Sequence, residues 1–180
     1  MSDDEAMRRA LALAAEAAAD GEVPVGAVVL DASGMVVGEG CNARGRVVGA
    51  RVPAAAAVAA VPNADTVAGA REVAADPAAD PLAHAEVVAM RAAAHRLGGW
   101  NLADCTLIVT LEPCPMCAGA CVQTHIGRIV FGAWDAKLGA CGSVWDIPRD
   151  PHIGHVPEVV GGVREADCAR LLADFFAARR

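Results

Sequence analysis

The stretch Cys105-Thr106-Leu107-Ile108-Val109-Thr110-Leu111-Glu112-Pro113-Cys114-Pro115-Met116-Cys117, carried on to Arg128-Ile129-Val130-Phe131-Gly132, decides the fold class. Its apolar, β-branched opening predicts a buried strand over residues 105–111. Pro115 suits the first position of a helix, where its missing N–H costs nothing, and a helix is expected over 115–124. Residues 128–132 read as the next strand. Strand, helix and strand in succession imply an α/β layered domain with at least part of its sheet parallel.

Working outward, Val87, Val88, Met90, Arg91 and Ala94 ride a helix that ends near Leu97-Gly98-Gly99. Further upstream, Val23 to Leu30 reads as a buried strand and Asp31-Ala32-Ser33-Gly34 as a turn. Met35 to Gly40 returns as its hairpin partner. Ser2 followed by Glu5 fits a capping box. The helix behind it spans 3–19, with Met7, Leu11 and Ala14/Ala15 on one face, and closes at Asp20-Gly21. Glu165 to Ala178 forms a last helix. Residues 43–80 differ in texture, holding alanine, valine, glycine and proline with Arg44, Arg46, Arg51 and Arg71. They read as an insertion in a single domain of residues 1–180, with room for a short helix around Asp65 to Ala74. Such an insertion is either merely tolerated or a basic flap over a polyanionic ligand.

Length and composition exclude several classes. One hundred and eighty residues suit one domain with a core of its own. The 55% hydrophobic content is swollen by alanine, leaving an ordinary inventory of larger apolar side chains. Charged residues or glycine interrupt every run before the ~20 apolar residues of a membrane span. A net charge of −7 excludes a generally basic coat for nucleic acid, DNA included, and leaves room for a local basic patch. Seven cysteines cannot all pair within one chain, and Met1-Ser2-Asp3-Asp4-Glu5 is acidic where a secretion signal would be basic. Free thiols in a reducing, cytoplasmic compartment are expected.

Two short segments carry the chemistry: His84-Ala85-Glu86 at a helix start and Pro113-Cys114-Pro115-Met116-Cys117 at a strand-to-helix junction. Cysteines three apart at the mouth of a helix reach one cation, and the free N–H groups of that turn favour thiolates. Zinc suits mixed Cys/His ligation. His84, Cys114 and Cys117 give three ligands, and a catalytic zinc keeps its fourth position for water. Cys121 is a disfavoured fourth ligand, since one short helix would then supply three. Two thiolates offset the ion's charge, so a nearby base is needed, and Glu86 is the candidate. That role requires His84 at the very N-terminus of its helix, because positions two apart on a helix face different ways. A non-catalytic zinc or thiol-redox module is the rival of another class. Cys41, Cys105, Cys121, Cys141 and Cys168 read as small buried hydrophobes, and His95 as a solvated side chain. His125, His152 and His155 remain open between phosphate contact and the capping of turns, and Trp134 and Trp145 between stacking on an unstacked base and core packing.

Together the two segments form the H-x-E…P-C-x-x-C pattern of zinc nucleobase deaminases. The wider chain resembles the bacterial tRNA-specific adenosine deaminases, most specifically in the stretch Gly132-Ala133-Trp134-Asp135-Ala136-Lys137-Leu138-Gly139-Ala140. Glu22 to Val28, Gly38 to Asn42, Asp80 to Glu86 and Phe175-Phe176 also resemble that family. The resemblance implies a three-layer cytidine-deaminase-like fold, with a mixed five-stranded sheet between helices, and homodimers with active sites near the subunit interface. It implies conversion of the wobble adenosine of a tRNA anticodon stem-loop to inosine, with one Zn2+ per subunit. In that scheme Glu86 shuttles protons, Asn42 grips the flipped nucleotide, and Asp135 and Lys137 belong to a loop near bound RNA. The family has a short loop where this chain carries residues 43–83. A free-base or nucleoside deaminase acting on guanine or cytosine would share every zinc ligand.

Overall fold

The computed structural model describes residues 1–45 and 80–179. The possible helix around Asp65 to Ala74, and nearly all of the 43–80 insertion, lie outside the described residues. Four helices and five strands follow in the order α1 (Asp3–Ala19), β1 (Gly26–Leu30), β2 (Val36–Cys41), α2 (Ala85–Leu97), β3 (Thr106–Leu111), α3 (Pro115–Gln123), β4 (Arg128–Ala133), β5 (Glu158–Val160) and α4 (Glu165–Ala177). The strands form one sheet in the order β2-β1-β3-β4-β5. β1 pairs antiparallel with both β2 and β3, whereas β3–β4 and β4–β5 are parallel. The expected mixed sheet is present, and its parallel part joins the segment 105–132, from which the fold class was read, to β5.

Both faces of the sheet are covered, and the strand alternation shows how. Ala27, Val29, Leu107, Val109, Ile129 and Phe131 face a core shared with α2 and Cys121 of α3. Val28, Leu30, Ile108 and Val130 face the other core, made with α1 and Cys168 of α4. Successive residues of a strand point to opposite faces, so a strand buried on both sides must be apolar throughout. That is why β1 is buried at every position. A layer of helices thus lies on each side of the sheet, giving the three layers expected.

The sheet brings α2 unusually close. A side chain on Gly40 would place its Cβ 2.5 Å from the carbonyl oxygen of Ala85 and 2.7 Å from the backbone nitrogen of Ala89. Only glycine lets the first turn of α2 rest on β2 at that distance. On the other face, Ser2 caps α1 and Glu5 answers it, the reciprocal pair expected from the sequence. The buried face of α1 differs from the expected one: it is Ala6, Met7, Ala10, Leu13, Ala14 and Ala17, and Leu11 only borders the core. Two further expectations are corrected. β1 begins at Gly26 and not Val23, because Pro24 has no N–H for a ladder and the Val25 N–H turns back to the Val23 carbonyl, 2.8 Å away. The edge strand β5, three residues behind Pro157, had no counterpart in the sequence reading.

Candidate metal centre

α2 and α3 both start at the same end of the sheet, and each start supplies side chains able to bind a metal. His84 is the N-cap of α2, with extended backbone at φ −73° and ψ 150°, and Cys114 is the N-cap of α3, at φ −71° and ψ 171°. Neither uses its side chain to cap its helix, so both side chains are free for other work. Pro115 follows at the first position of α3, and Cys117 lies in that first turn. The condition set for Glu86 is met: His84 precedes the helix, so the turn from extended to helical backbone brings residues 84 and 86 to one side.

Nδ1 of His84 lies 3.7 Å from Sγ of Cys114 and 3.6 Å from Sγ of Cys117. The three donor atoms all fall within 4.8 Å of one another. A tetrahedral zinc about 2.3 Å from sulfur and about 2.05 Å from nitrogen demands N···S separations of about 3.6 Å. The residues present therefore fit the ion in distance as well as in donor chemistry. Among the described residues this is the one group of three such side chains with that convergence. Cys121 is fully buried in the α2-side core and is not part of it.

The electrostatics suit a cation. The Cys117 thiol and the His84 ring beside Cys114 bring its thiol down to about 4. Cys117 moves the other way, driven up by its bond to the Cys114 sulfur and by burial. The His84 ring is raised by its bond to Cys114. Glu86 is 4% exposed, and burial pushes its carboxyl up to about 7, with the nearby Cys114 charge adding to the effect.

The other residues singled out from the sequence are placed as follows. Asn42 is buried, and its Oδ1 accepts from the Ala85 N–H at 3.0 Å, which pins the end of β2 to the first turn of α2. The neighbouring Ala43 N–H donates to the Ala83 carbonyl at 3.0 Å, leaving Arg44 exposed beside that tie. Asp135 turns its carboxylate onto its own loop, accepting from the N–H groups of Lys137 at 2.9 Å and Leu138 at 3.2 Å. Lys137 is exposed. Trp134 and Trp145 are 48% and 47% exposed, and Trp134 packs edge-on against Phe131 at 4.7 Å. Cys105, Cys121, Cys141 and Cys168 are buried and His95 is exposed, as expected, whereas Cys41, expected to be buried, is only half-buried.

One residue was missed. Glu112, 2% exposed, stands at the end of β3 two positions before Cys114 and accepts four hydrogen bonds from residues 135–143. The sequence offered only its position, an acid two residues before Cys114, and nothing in it showed that the acid is buried.

A model of the cytidine and deoxycytidylate deaminase zinc-binding region matches residues 1–133. This chain belongs to that deaminase family. The tRNA-specific adenosine deaminase of Haemophilus influenzae is 38% identical over 178 residues, covering 99% of this chain and 85% of that protein. A chain solved in a study of A-to-I editing by tRNA:A34 deaminases superposes with a TM-score of 0.71 at 32% identity, covering 93% of this chain and 98% of the other. The guanine deaminase of Nitrosomonas europaea superposes at 0.63 with 25% identity, covering 98% and 85%. Two longer Deinococcus proteins, each called tRNA(Ile)-lysidine synthase, are 44% and 45% identical to the chain, which spans only about a quarter of their length. No described helix is long and apolar enough to cross a membrane.

Proposed function

We propose that this deaminase hydrolyses the wobble adenosine of a tRNA anticodon stem-loop to inosine. The observation that carries the reading is the buried carboxyl of Glu86 beside three converging soft donors. The substrate follows from the tRNA-specific relatives, which match this chain along nearly all of its length.

His84, Cys114 and Cys117 hold one zinc ion. That ion supplies a Lewis-acid centre which makes a bound water easier to deprotonate. Glu86 does the proton work. Poised near neutrality, it takes a proton from the attacking water and delivers it to N1 of the base as oxygen bonds to C6. It then carries the second proton to the departing amino group, so adenosine and water become inosine and ammonia. Asn42, whose Oδ1 takes the Ala85 N–H, offers its remaining amide N–H groups to the flipped nucleotide. Asp135 shapes the loop that offers Lys137 to the RNA backbone, and Arg44 offers a second cation. A second copy of the chain completes the working unit, as in the family it resembles, and the cytoplasm is where such a reaction meets its tRNA.

The guanine deaminase neighbour supports a second reading, in which the same centre serves a free base. Purified protein is to be incubated separately with unmodified anticodon stem-loop and with guanine and cytosine, with inosine and ammonia measured. Inosine confined to the wobble position supports the proposal. Ammonia from a free base with no inosine in the stem-loop overturns it.

A further inference from the structure

The carboxylate of Glu112 spends its full accepting capacity on one loop. A carboxylate offers about four lone-pair sites. Oε1 takes the N–H groups of Cys141 and Ser143, each at 3.0 Å. Oε2 takes the N–H of Asp135 at 3.0 Å and the hydroxyl of Ser143 at 2.6 Å. The same hydroxyl lies 2.8 Å from the Asp135 carbonyl, so its single proton has two acceptors within reach. The cradle is closed by Gly139: a Cβ there would stand 2.2 Å from both Oε2 of Glu112 and Oγ of Ser143. An acid of this kind, buried and filled by donors from a single segment, fixes that segment's shape.

The shape matters because of what the loop carries and where it is tied. The Ala140 N–H donates to the carbonyl of Pro113 at 2.8 Å, so the loop abuts the residue before the ligand Cys114. Its outer side shows Trp134, Leu138, Val144 and Trp145, each between 45% and 54% exposed, with Lys137 among them. Two exposed indoles and a lysine beside a base-modifying centre suit single-stranded RNA, whose bases stack on aromatic rings while its phosphates meet cations.

We infer that Glu112 is a positioning residue for substrate: it locks the 134–145 loop to the Cys114 turn, so that this aromatic and basic face meets the RNA in one fixed geometry. The inference rests on the stem-loop reading above. Glu112→Gln keeps the shape but sets an amide N–H against at least one backbone N–H. Ser143→Ala removes the hydroxyl that bridges Glu112 to Asp135 and leaves the carboxylate in place.

Both variants are to be compared with the zinc-loaded wild type for KM and kcat on the stem-loop, for zinc content, and for amide hydrogen exchange at Cys141 and Ser143. Glu112→Gln is expected to raise KM about tenfold and Ser143→Ala about threefold, with kcat within threefold of wild type and one zinc per chain. Exchange at the two amides is expected to quicken in both. An active wild type whose variants keep KM, keep slow exchange, or lose kcat and zinc together overturns this role alone. A wild type inactive on the stem-loop overturns the substrate reading and this role with it.

Discussion

Two glutamates, Glu86 in the first turn of α2 and Glu112 at the end of β3, are buried to nearly the same degree, at 4% and 2% exposure. Their surroundings are opposite. Glu112 is saturated by three N–H groups and a hydroxyl, all from one loop. Glu86 has the Cys117 thiol as its side-chain partner and Cys114 nearby, and burial lifts its carboxyl to about 7. Burial alone therefore assigns no role to an acid. An acid filled with donors becomes a fixed strut, whereas one left among sulfurs keeps a proton it can exchange.

The sharpest way to break this contrast is to neutralise the proton carrier. Glu86→Gln is expected to lower kcat by at least about a hundredfold, the scale of lost general acid–base help, with one zinc per chain retained by metal analysis. Near-normal turnover would erase the distinction. Next comes the ligand set. Cys117→Ser is expected to leave protein with little bound zinc and no measurable turnover, while Cys121→Ser keeps both, because Cys121 belongs to the core. The close approach of α2 to β2, which holds His84 and Glu86 over the sheet, is tested by Gly40→Ala. Its Cβ meets backbone atoms, so a destabilisation of about 1–3 kcal/mol is expected, read as a lower thermal midpoint.

The smallest effect calibrates the series with a third acid, one that is only partly covered. Asp3 makes paired 2.8 Å bonds to Arg128, and their side chains are 35% and 28% exposed. Its hydrogen bond to Arg128 holds the carboxyl below its ordinary value. A depressed carboxyl stabilises the fold above the unfolded value of about 3.9, and that contribution fades as pH falls through the folded value. Asp3→Asn is expected to cost less than about 1 kcal/mol at pH 7 in denaturant unfolding, and the gap to wild type is expected to close in acid. A gap that widens in acid would contradict the assignment.

What the sequence disclosed depended on how local the cause was. The capping box of Ser2 and Glu5, the hairpin and the three soft donors are set by neighbours in the chain or by residue type, and their placement was readable. The face of α1 was misjudged because an alanine-rich helix offers little contrast between its sides, so the sheet and not the pattern decides that Leu13 goes in and Leu11 stays at the border. The partners of Glu112 lie 23 to 31 residues downstream, and Asn42 meets Ala85 across 43 positions. Those bonds exist only once the sheet has formed, and no spacing rule announces them. β5 was hidden for a related reason: three residues beside β4 take their strand character from the pairing itself.

The claim on which the rest depends is the convergence of one imidazole and two sulfurs on a single zinc with a place left for water. X-ray absorption at the zinc edge of the wild-type protein measures it directly. Two sulfurs at about 2.3 Å and two lighter nitrogen or oxygen neighbours at about 2.0–2.1 Å are predicted. Three or four sulfurs around the metal would draw Cys121 or another thiol into the shell, close the site to water and contradict the account.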